Sequence, residues 1–145
     1  VKQDDLLRGR RFDDAIGNGT YPTDIHHADK EGITFRFLDG REIHSAPGVW
    51  RESRWLAAGE TPATFYQIPY RSLVPQGATN VLLAVRSLDA DEGAFGALRV
   101  MVNCNQTGEA AGTAALLALE KNLTVADVPV DALRDTLRRQ GSAII

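Results

Sequence analysis

A chain of 145 residues, 43% of them hydrophobic, is long enough for one ordinary domain with a modest core. Its formal charge of −3 gives no indication of a basic face for nucleic acid, and its apolar runs are too short to span a bilayer. The lone Cys104 cannot form an internal disulfide and no signal-peptide pattern is present, so we expect a cytoplasmic protein that binds neither nucleic acid nor membrane.

The N-terminal part predicts one helix followed by extended backbone. Phe12 and Ile16 lie four residues apart, which favours a helix over residues 4–17 that Gly17 would end. Residues 23–27 are predicted to be extended.

A hairpin is predicted next. Residues 33–38 alternate apolar and polar side chains, the period of a half-buried strand. Asp39-Gly40 then predicts a two-residue turn into a second strand at residues 41–44. Residues 46–62 show no clear period and are predicted to form a loop with some helical turn.

The character of the chain changes at Tyr66. Pro69 and Pro75 favour extended backbone, and the continuous apolar run at residues 81–85 is typical of a strand buried on both faces. Residues 89–96 are predicted to form a loop because they are small and acidic.

Two helices are predicted after that loop. The first covers residues 107–122, is closed by Asn122, and has one shared face made of Ala111, Ala114, Ala115, Ala118 and Leu119. The second covers residues 130–140 with Leu133 and Leu137 inward and Gly141 after it.

The predicted start of the first of these helices carries no bulky side chain. A helix N-terminus has unpaired N–H groups and about half a positive charge, which suits an anion or an electron-rich carbonyl. The same small residues, Gly108 and Gly112 among them, also suit close packing of helices. The residues alone leave both interpretations open.

Five motifs resemble one family of enzymes. They occur in the order and spacing seen in FAD-dependent oxidoreductases of the glutathione-reductase-like superfamily: RRFDDAIGNGTYPTDIH, IPYRSLVP, NVLLAVRS, GALRVM and TGEAAGTAA. The resemblance implies the C-terminal portion of such an enzyme, and a chain that starts at Val1 without an initiator Met fits this. Residues 1–65 would then be a partial substrate-side region, and residues 66–145 the last strand and the C-terminal helices of the FAD-binding domain. The expected fold class is α+β, without the N-terminal Rossmann βαβ unit.

The resemblance also implies where FAD lies. Arg86 and Ser87 would be near its ribityl or pyrophosphate part, and the helix start would face the pyrimidine edge of the flavin. The implied cofactor-binding residues are Arg86, Ser87, Gly96, Arg99, Val100, Met101, Thr107 and Gly108. The sequence departs from the family at Val85, where a glycine is usual, and at Glu92-Gly93, where a His-Glu pair is common. These departures also favour a relative that has lost its function.

The dinucleotide fingerprint of such enzymes is missing from the chain. Gly17-Asn18-Gly19 is the only Gly-x-Gly, and the residues after it cannot open the helix that would hold a pyrophosphate. We therefore expect weak or no FAD binding by this chain alone. The expected partners are the missing N-terminal FAD-binding half or a second copy, with a small-molecule substrate in the parent enzyme.

The candidate catalytic residues are His26, Tyr70 and Arg71. By resemblance, the segment that contains His26 belongs to the substrate side, where an imidazole can transfer a proton. Tyr70 and Arg71 would face the substrate or the flavin edge, or else close a strand with an arginine ion pair. No metal site is expected, because His26 and His27 are adjacent on extended backbone and point to opposite faces.

A function outside catalysis is also open. The chain could be a small α+β association module, or a split or remnant subunit, that docks through the Ala/Gly-rich helix at residues 107–119.

Overall fold

The computed structural model describes all residues, 1–145, and shows an α+β fold with four helices and two antiparallel sheets. This confirms the expected fold class. The elements in chain order are α1 (Gln3–Leu7), β1 (Ala15–Gly19), β2 (Thr23–His26), β3 (Ile33–Arg36), β4 (Arg41–Ala46), β5 (Val49–Arg54), β6 (Tyr66–Pro69), a 3-10 turn (Tyr70–Leu73), α2 (Glu92–Leu98), α3 (Met101–Lys121), a second 3-10 turn (Val125–Asp127) and α4 (Val130–Arg139).

The core lies around the two-stranded sheet of β1 and β6. All four residues of β6 are buried, and α1, α3 and α4 pack around the two strands. The largest fully buried apolar side chains are Tyr66, Leu6, Ile16, Ile68, Leu73, Leu98, Leu133 and Leu137. Because β1 and β6 pair with each other, the sheet joins the predicted regions 1–65 and 66–145. The boundary between those regions stays a prediction.

Strands β2 to β5 form a four-stranded antiparallel meander. The predicted strands at residues 23–27 and 33–38 and the hairpin into residues 41–44 are confirmed. The predicted two-residue turn is wrong: four residues, 37–40, separate β3 from β4, with Gly40 at φ 90° and its N–H donating to Phe37 O at 3.0 Å. The reason is that Leu38 turns inward and is buried, so it does not extend the strand.

The prediction of a loop at residues 46–62 is wrong over its first part. Strand β5 pairs with β4: Val49 is opposite Ala46 beside the turn, and Arg54 is opposite Arg41 at the far end. Gly48, in the turn, has φ 71°. Every residue of β5 is exposed, so hydrophobic alternation could not reveal it.

The predicted helix over residues 4–17 is also wrong. Helix α1 ends at Leu7, and Gly9 follows in the left-handed region at φ 61°. Gly17 lies inside β1, where a Cβ would come 3.1 Å from the side chain of Gln106 on α3. The glycine therefore permits close packing and does not end a helix.

Two predictions in the second half are wrong. Residues 81–85 form no strand, because no other strand of the structure pairs with them, and Val81 and Leu83 are exposed. Residues 89–96 include most of α2, whose N-cap Asp91 accepts a hydrogen bond from Ala94 N at 2.8 Å. Asp91 therefore caps the start of a helix in a stretch whose composition favours a loop.

Helix α3 begins six residues before the predicted start and runs for 21 residues to Lys121. Asn122 closes it in the left-handed conformation as predicted. Of the predicted shared face, Ala114 and Ala118 are buried, whereas Leu119 is 81% exposed. Helix α4 confirms the last prediction, with Leu133 and Leu137 buried. No helix is long and apolar enough to cross a membrane.

Candidate functional site

The start of α3 is an open helix N-terminus. Val100 occupies the N-cap position in extended backbone, and no side chain donates or accepts a capping hydrogen bond there. The next two side chains, Met101 and Val102, are 76% and 67% exposed. The first N–H groups of a 21-residue helix thus lie at the surface without a side-chain partner.

Two adjoining hollows meet at this helix start. One, of about 440 Å³, is lined by Tyr21, Asp24, Arg86, Arg99, Val100, Met101 and Val102. The other, of about 490 Å³, shares Tyr21, Val100 and Val102 with it and extends along residues 18–20, 64–65, 103 and 145. We call the pair the α3 hollow. It brings together four predicted cofactor residues: Arg86, Arg99, Val100 and Met101.

The packing of α2 against β2 sets the position of this hollow. Gly96 lies so close to β2 that a Cβ would overlap the carbonyl oxygen of Asp24 and lie 2.9 Å from its nitrogen. One turn later, Arg99 Nη2 donates to Asp24 Oδ1 at 2.5 Å. Gly96 therefore holds the helix against the strand, and the ion pair fixes the arginine beside the helix start.

Buried polar groups support the α3 hollow from below. Asn103 Nδ2 donates to the Tyr66 hydroxyl and to Ala97 O, each at 2.9 Å. Burial raises the pKa of Tyr66 to about 12, although the hydrogen bond from Asn103 opposes this. Gln106 Oε1 accepts a hydrogen bond from Asn18 N, and Gln106 Nε2 donates one to Asn18 O, each at 2.8 Å. The buried Asn18 Oδ1 has no partner.

Thr107 and Gly108 lie in the second turn of α3, so their predicted place at a helix start is wrong. Small residues in the second turn resemble a bare helix start, whereas the true start at Val100 carries none of the usual capping residues. They nevertheless face the segment that contains Arg86: Thr107 Oγ1 accepts a hydrogen bond from Val85 N at 3.2 Å. A Cβ on Gly108 would come 3.9 Å from the side chain of Val85.

The other candidate residues lie elsewhere. Ser87 lines a separate hollow together with Ser72 and Asp89. The Tyr70 hydroxyl is buried and donates to Val125 O at 2.6 Å, and burial raises its pKa to about 12. Arg71 pairs with Asp14.

His26 is exposed at the end of β2, on the same face of that strand as Asp24. The catalytic assignments of His26, Tyr70 and Arg71 stay predictions.

Sequence reasoning missed Tyr21, Asn103 and Asn18 as residues of the hollow or its support. Tyr21 and Asn18 stand within the RRFDDAIGNGTYPTDIH motif, which was the available signal. No sequence pattern identifies Asn103, since its partner Tyr66 is distant in the sequence and its partner Ala97 lies on another helix. No group of three or more His, Cys, Asp or Glu side chains could hold a metal ion.

The α3 hollow combines hydrogen-bond donors with an apolar surface. Free helix N–H groups and Arg99 suit the electron-rich carbonyl edge of a ring, and the exposed Met101 and Val102 offer an apolar surface to its plane. Arg86 is exposed and takes part in no ion pair, so it is free to meet a phosphate.

A comparison with protein families gives one match. A family model described as FAD dependent oxidoreductase matches residues 1–137. No curated protein and no solved structure gives a significant match. Since the family match covers nearly the whole chain, the chain belongs to the FAD dependent oxidoreductase family.

Proposed function

We propose that this chain supplies the isoalloxazine and ribityl side of the FAD site in a flavin-dependent oxidoreductase, as the C-terminal portion of a glutathione-reductase-like flavoprotein. The observation that carries the proposal is the uncapped start of α3, which opens into a hollow beside Arg86 and Arg99. Membership of the family supports FAD as the ligand.

The residues of the α3 hollow act by position and charge. The N–H groups at Met101 and Val102 favour negative charge on the pyrimidine edge of the ring. Arg99, which pairs with Asp24, has further N–H donors that are not used in that pair. When bound, FAD supplies the group that accepts a hydride from a carbon or amine donor. Arg86 meets the ribityl or pyrophosphate part, and His26 transfers a proton on the substrate side.

The ADP part of FAD requires a second unit. All six strands pair antiparallel, and the 145 residues contain no Gly-x-Gly-x-x-Gly segment. A pyrophosphate is held in such enzymes by that segment at a helix N-terminus. We therefore propose that a separate dinucleotide-binding unit completes the site.

Substitutions at Val102 test the role of the helix start. Val102 is 67% exposed, so V102D and V102N both leave the core intact. The aspartate and asparagine side chains have nearly the same shape and differ in charge. An aspartate in the first turn favours the helix but repels an electron-rich ring edge. Equilibrium dialysis of riboflavin should show that V102D binds about fivefold more weakly than V102N, which corresponds to about 1 kcal/mol.

Equal riboflavin affinity of the two variants would contradict the proposal. Gel filtration of the wild-type chain with FAD tests the proposal that a separate unit holds the ADP part. Stoichiometric retention of FAD would show that this chain also holds the ADP part, against the expectation of weak binding.

A second candidate function is association through α3, and the exposed side of this helix favours it. Leu116 and Leu119 are 54% and 81% exposed, and a Cβ on Gly112 would meet nothing within 4 Å. Exposed apolar patches of this kind mark interfaces. In this reading the chain is a non-catalytic module that docks on its partner through residues 107–119.

Light scattering coupled to gel filtration tests the association. A concentration-dependent dimer that L116Q/L119Q converts to a monomer would support self-association through this face. A monomer at all concentrations, with the same riboflavin affinity in the double variant, would favour the flavin-site function.

A further inference from the structure

One face of the β2–β5 sheet carries a polar pocket that the flavin proposal does not use. The pocket has a volume of about 610 Å³, within the range of small-molecule sites, and Ile25 is its only apolar lining residue. Thr34, His44 and Arg51 stand directly opposite one another on β3, β4 and β5, so their side chains share this face.

A buried hydroxyl ties two histidines together at the centre of the pocket. Thr34 is 7% exposed, and its Oγ1 lies 2.7 Å from His27 Nε2 and 3.1 Å from His44 Nδ1. The hydroxyl has one proton, so it donates to one ring and accepts from the other. Each ring is thereby held in one orientation, which leaves its second nitrogen for another partner.

The charges that remain unpaired on this face are mainly positive. Arg36 Nε donates to Glu42 Oε2 at 2.6 Å and Ser53 Oγ donates to Glu42 Oε1 at 3.1 Å, so this carboxylate is satisfied. The hydrogen bond from Arg36 holds the pKa of Glu42 below its usual value.

Lys30 and Arg51 also line the pocket, and neither takes part in an ion pair, while Glu52 is the one unpaired acid. Glu52 stands opposite Ile43, so its side chain is on the other side of the sheet from Arg51 and His44. Two unpaired cations and two oriented imidazoles therefore share this face without a free carboxylate between them.

We propose that this pocket binds the oxyanion group, carboxylate or phosphate, of a small organic ligand. The guanidinium of Arg51 matches either group with two parallel N–H donors. Of the two histidines, the ring that accepts from Thr34 carries its proton on the free nitrogen and supplies a further donor, and Lys30 adds a point charge. The pocket shares no residue with the α3 hollow, so this inference does not depend on flavin binding.

The test is a titration of the ¹⁵N-labelled full chain at constant ionic strength, with inorganic phosphate in one arm and succinate in the other. Saturable shifts of the Thr34, His44 and Arg51 amides in either arm support the proposal, and the arm that saturates identifies the group. R51Q should weaken binding by about tenfold or more, since a hydrogen bond to a charged group contributes about 1.5–3 kcal/mol.

R139Q is the matched control, because it removes the same charge from the exposed last turn of α4. It should bind like the wild type. The proposal is overturned if neither anion gives saturable shifts on this face, or if R51Q and R139Q bind equally. Arg51 is on the exposed strand β5, so loss of folding does not confuse the result, and an unchanged amide spectrum elsewhere verifies this.

Discussion

Val85 donates its backbone N–H to the hydroxyl of Thr107 at 3.2 Å while its own backbone adopts the left-handed conformation at φ 64°. A β-branched residue is strained in that conformation, and glycine is not. The family resemblance of the NVLLAVRS motif also implies a glycine at this position. The backbone just before Arg86 therefore has a conformation that suits glycine better than valine.

At Val85, substitution by glycine should give a more stable protein than substitution by alanine, which is the reverse of the usual order. At an ordinary position glycine is less stable than alanine by about 0.5–1 kcal/mol, but left-handed backbone costs a residue with a Cβ about 1–2 kcal/mol. We expect V85G to be more stable than V85A in urea unfolding. At the exposed helical position Leu116 we expect L116G to be less stable than L116A. The same order at both positions would contradict the strain at Val85.

Two glycines on neighbouring helices should respond in opposite ways to alanine. In G96A the new Cβ overlaps the Asp24 backbone, which must move, and overpacking of this kind costs about 1–3 kcal/mol. In G112A the Cβ meets nothing within 4 Å, and the helix gains about 0.5–1 kcal/mol. Thermal unfolding of both variants measures the difference. Equal melting temperatures would show that α2 does not pack on β2 as described.

The Asp14–Arg71 pair should make stability depend on pH in the acid range. Burial alone would raise the pKa of Asp14, but hydrogen bonds from the Arg71 side chain and backbone outweigh it, so this pKa is lowered. A lowered pKa stabilises the fold above the unfolded value of about 3.9, and this stability is lost as the pH falls through the folded value.

We expect D14N to cost about 1–3 kcal/mol at neutral pH and much less near pH 2. D135N, which breaks an exposed pair with Arg138, should cost under about 0.5 kcal/mol at either pH. Urea unfolding at the two pH values checks both. A pH-independent cost of D14N would contradict a carboxylate held ionised by Arg71.

Tyr70 should limit stability at alkaline pH. Burial raises the pKa of its phenol to about 12, above the usual 10.0, so the neutral form stabilises the fold below about pH 10. That stability is lost as the pH rises toward about 12. Y70F should cost about 1–3 kcal/mol near neutral pH, because it leaves the buried Val125 carbonyl without its donor.

Y70F should also reduce the alkaline fall in stability, measured by unfolding at several pH values. The exposed Tyr21 is a control for loss of a hydroxyl, and Y21F should change stability little. If Y70F costs nothing, the hydroxyl is free for another role.

Local pattern was sufficient for several elements. The hairpin of β3 and β4 follows from alternation and from Gly40, and α4 follows from Leu133, Leu137 and Gly141. In these elements the residues that pack together are near in sequence, so the period reports the fold directly.

Long-range packing decided the elements that local pattern misjudged. Ile16 lies in β1, not in a helix, because that strand pairs with β6 about fifty residues later. The apolar run at residues 81–85 is typical of a central strand but has no neighbour to pair with. The resemblance named only Arg86, Arg99, Val100 and Met101 among the residues of the α3 hollow. It did not reveal the true helix start, since Val100 is an unusual cap.

The most direct test of the flavin proposal is a titration of the ¹⁵N-labelled chain with riboflavin, whose tail carries no phosphate to engage the sheet pocket. We predict saturable shifts of the Met101, Val102 and Asn103 amides and of Tyr21, with much smaller shifts in V102D. Shifts that are absent from the start of α3, or that are confined to the β2–β5 sheet, would contradict the claim that this helix start binds the ring.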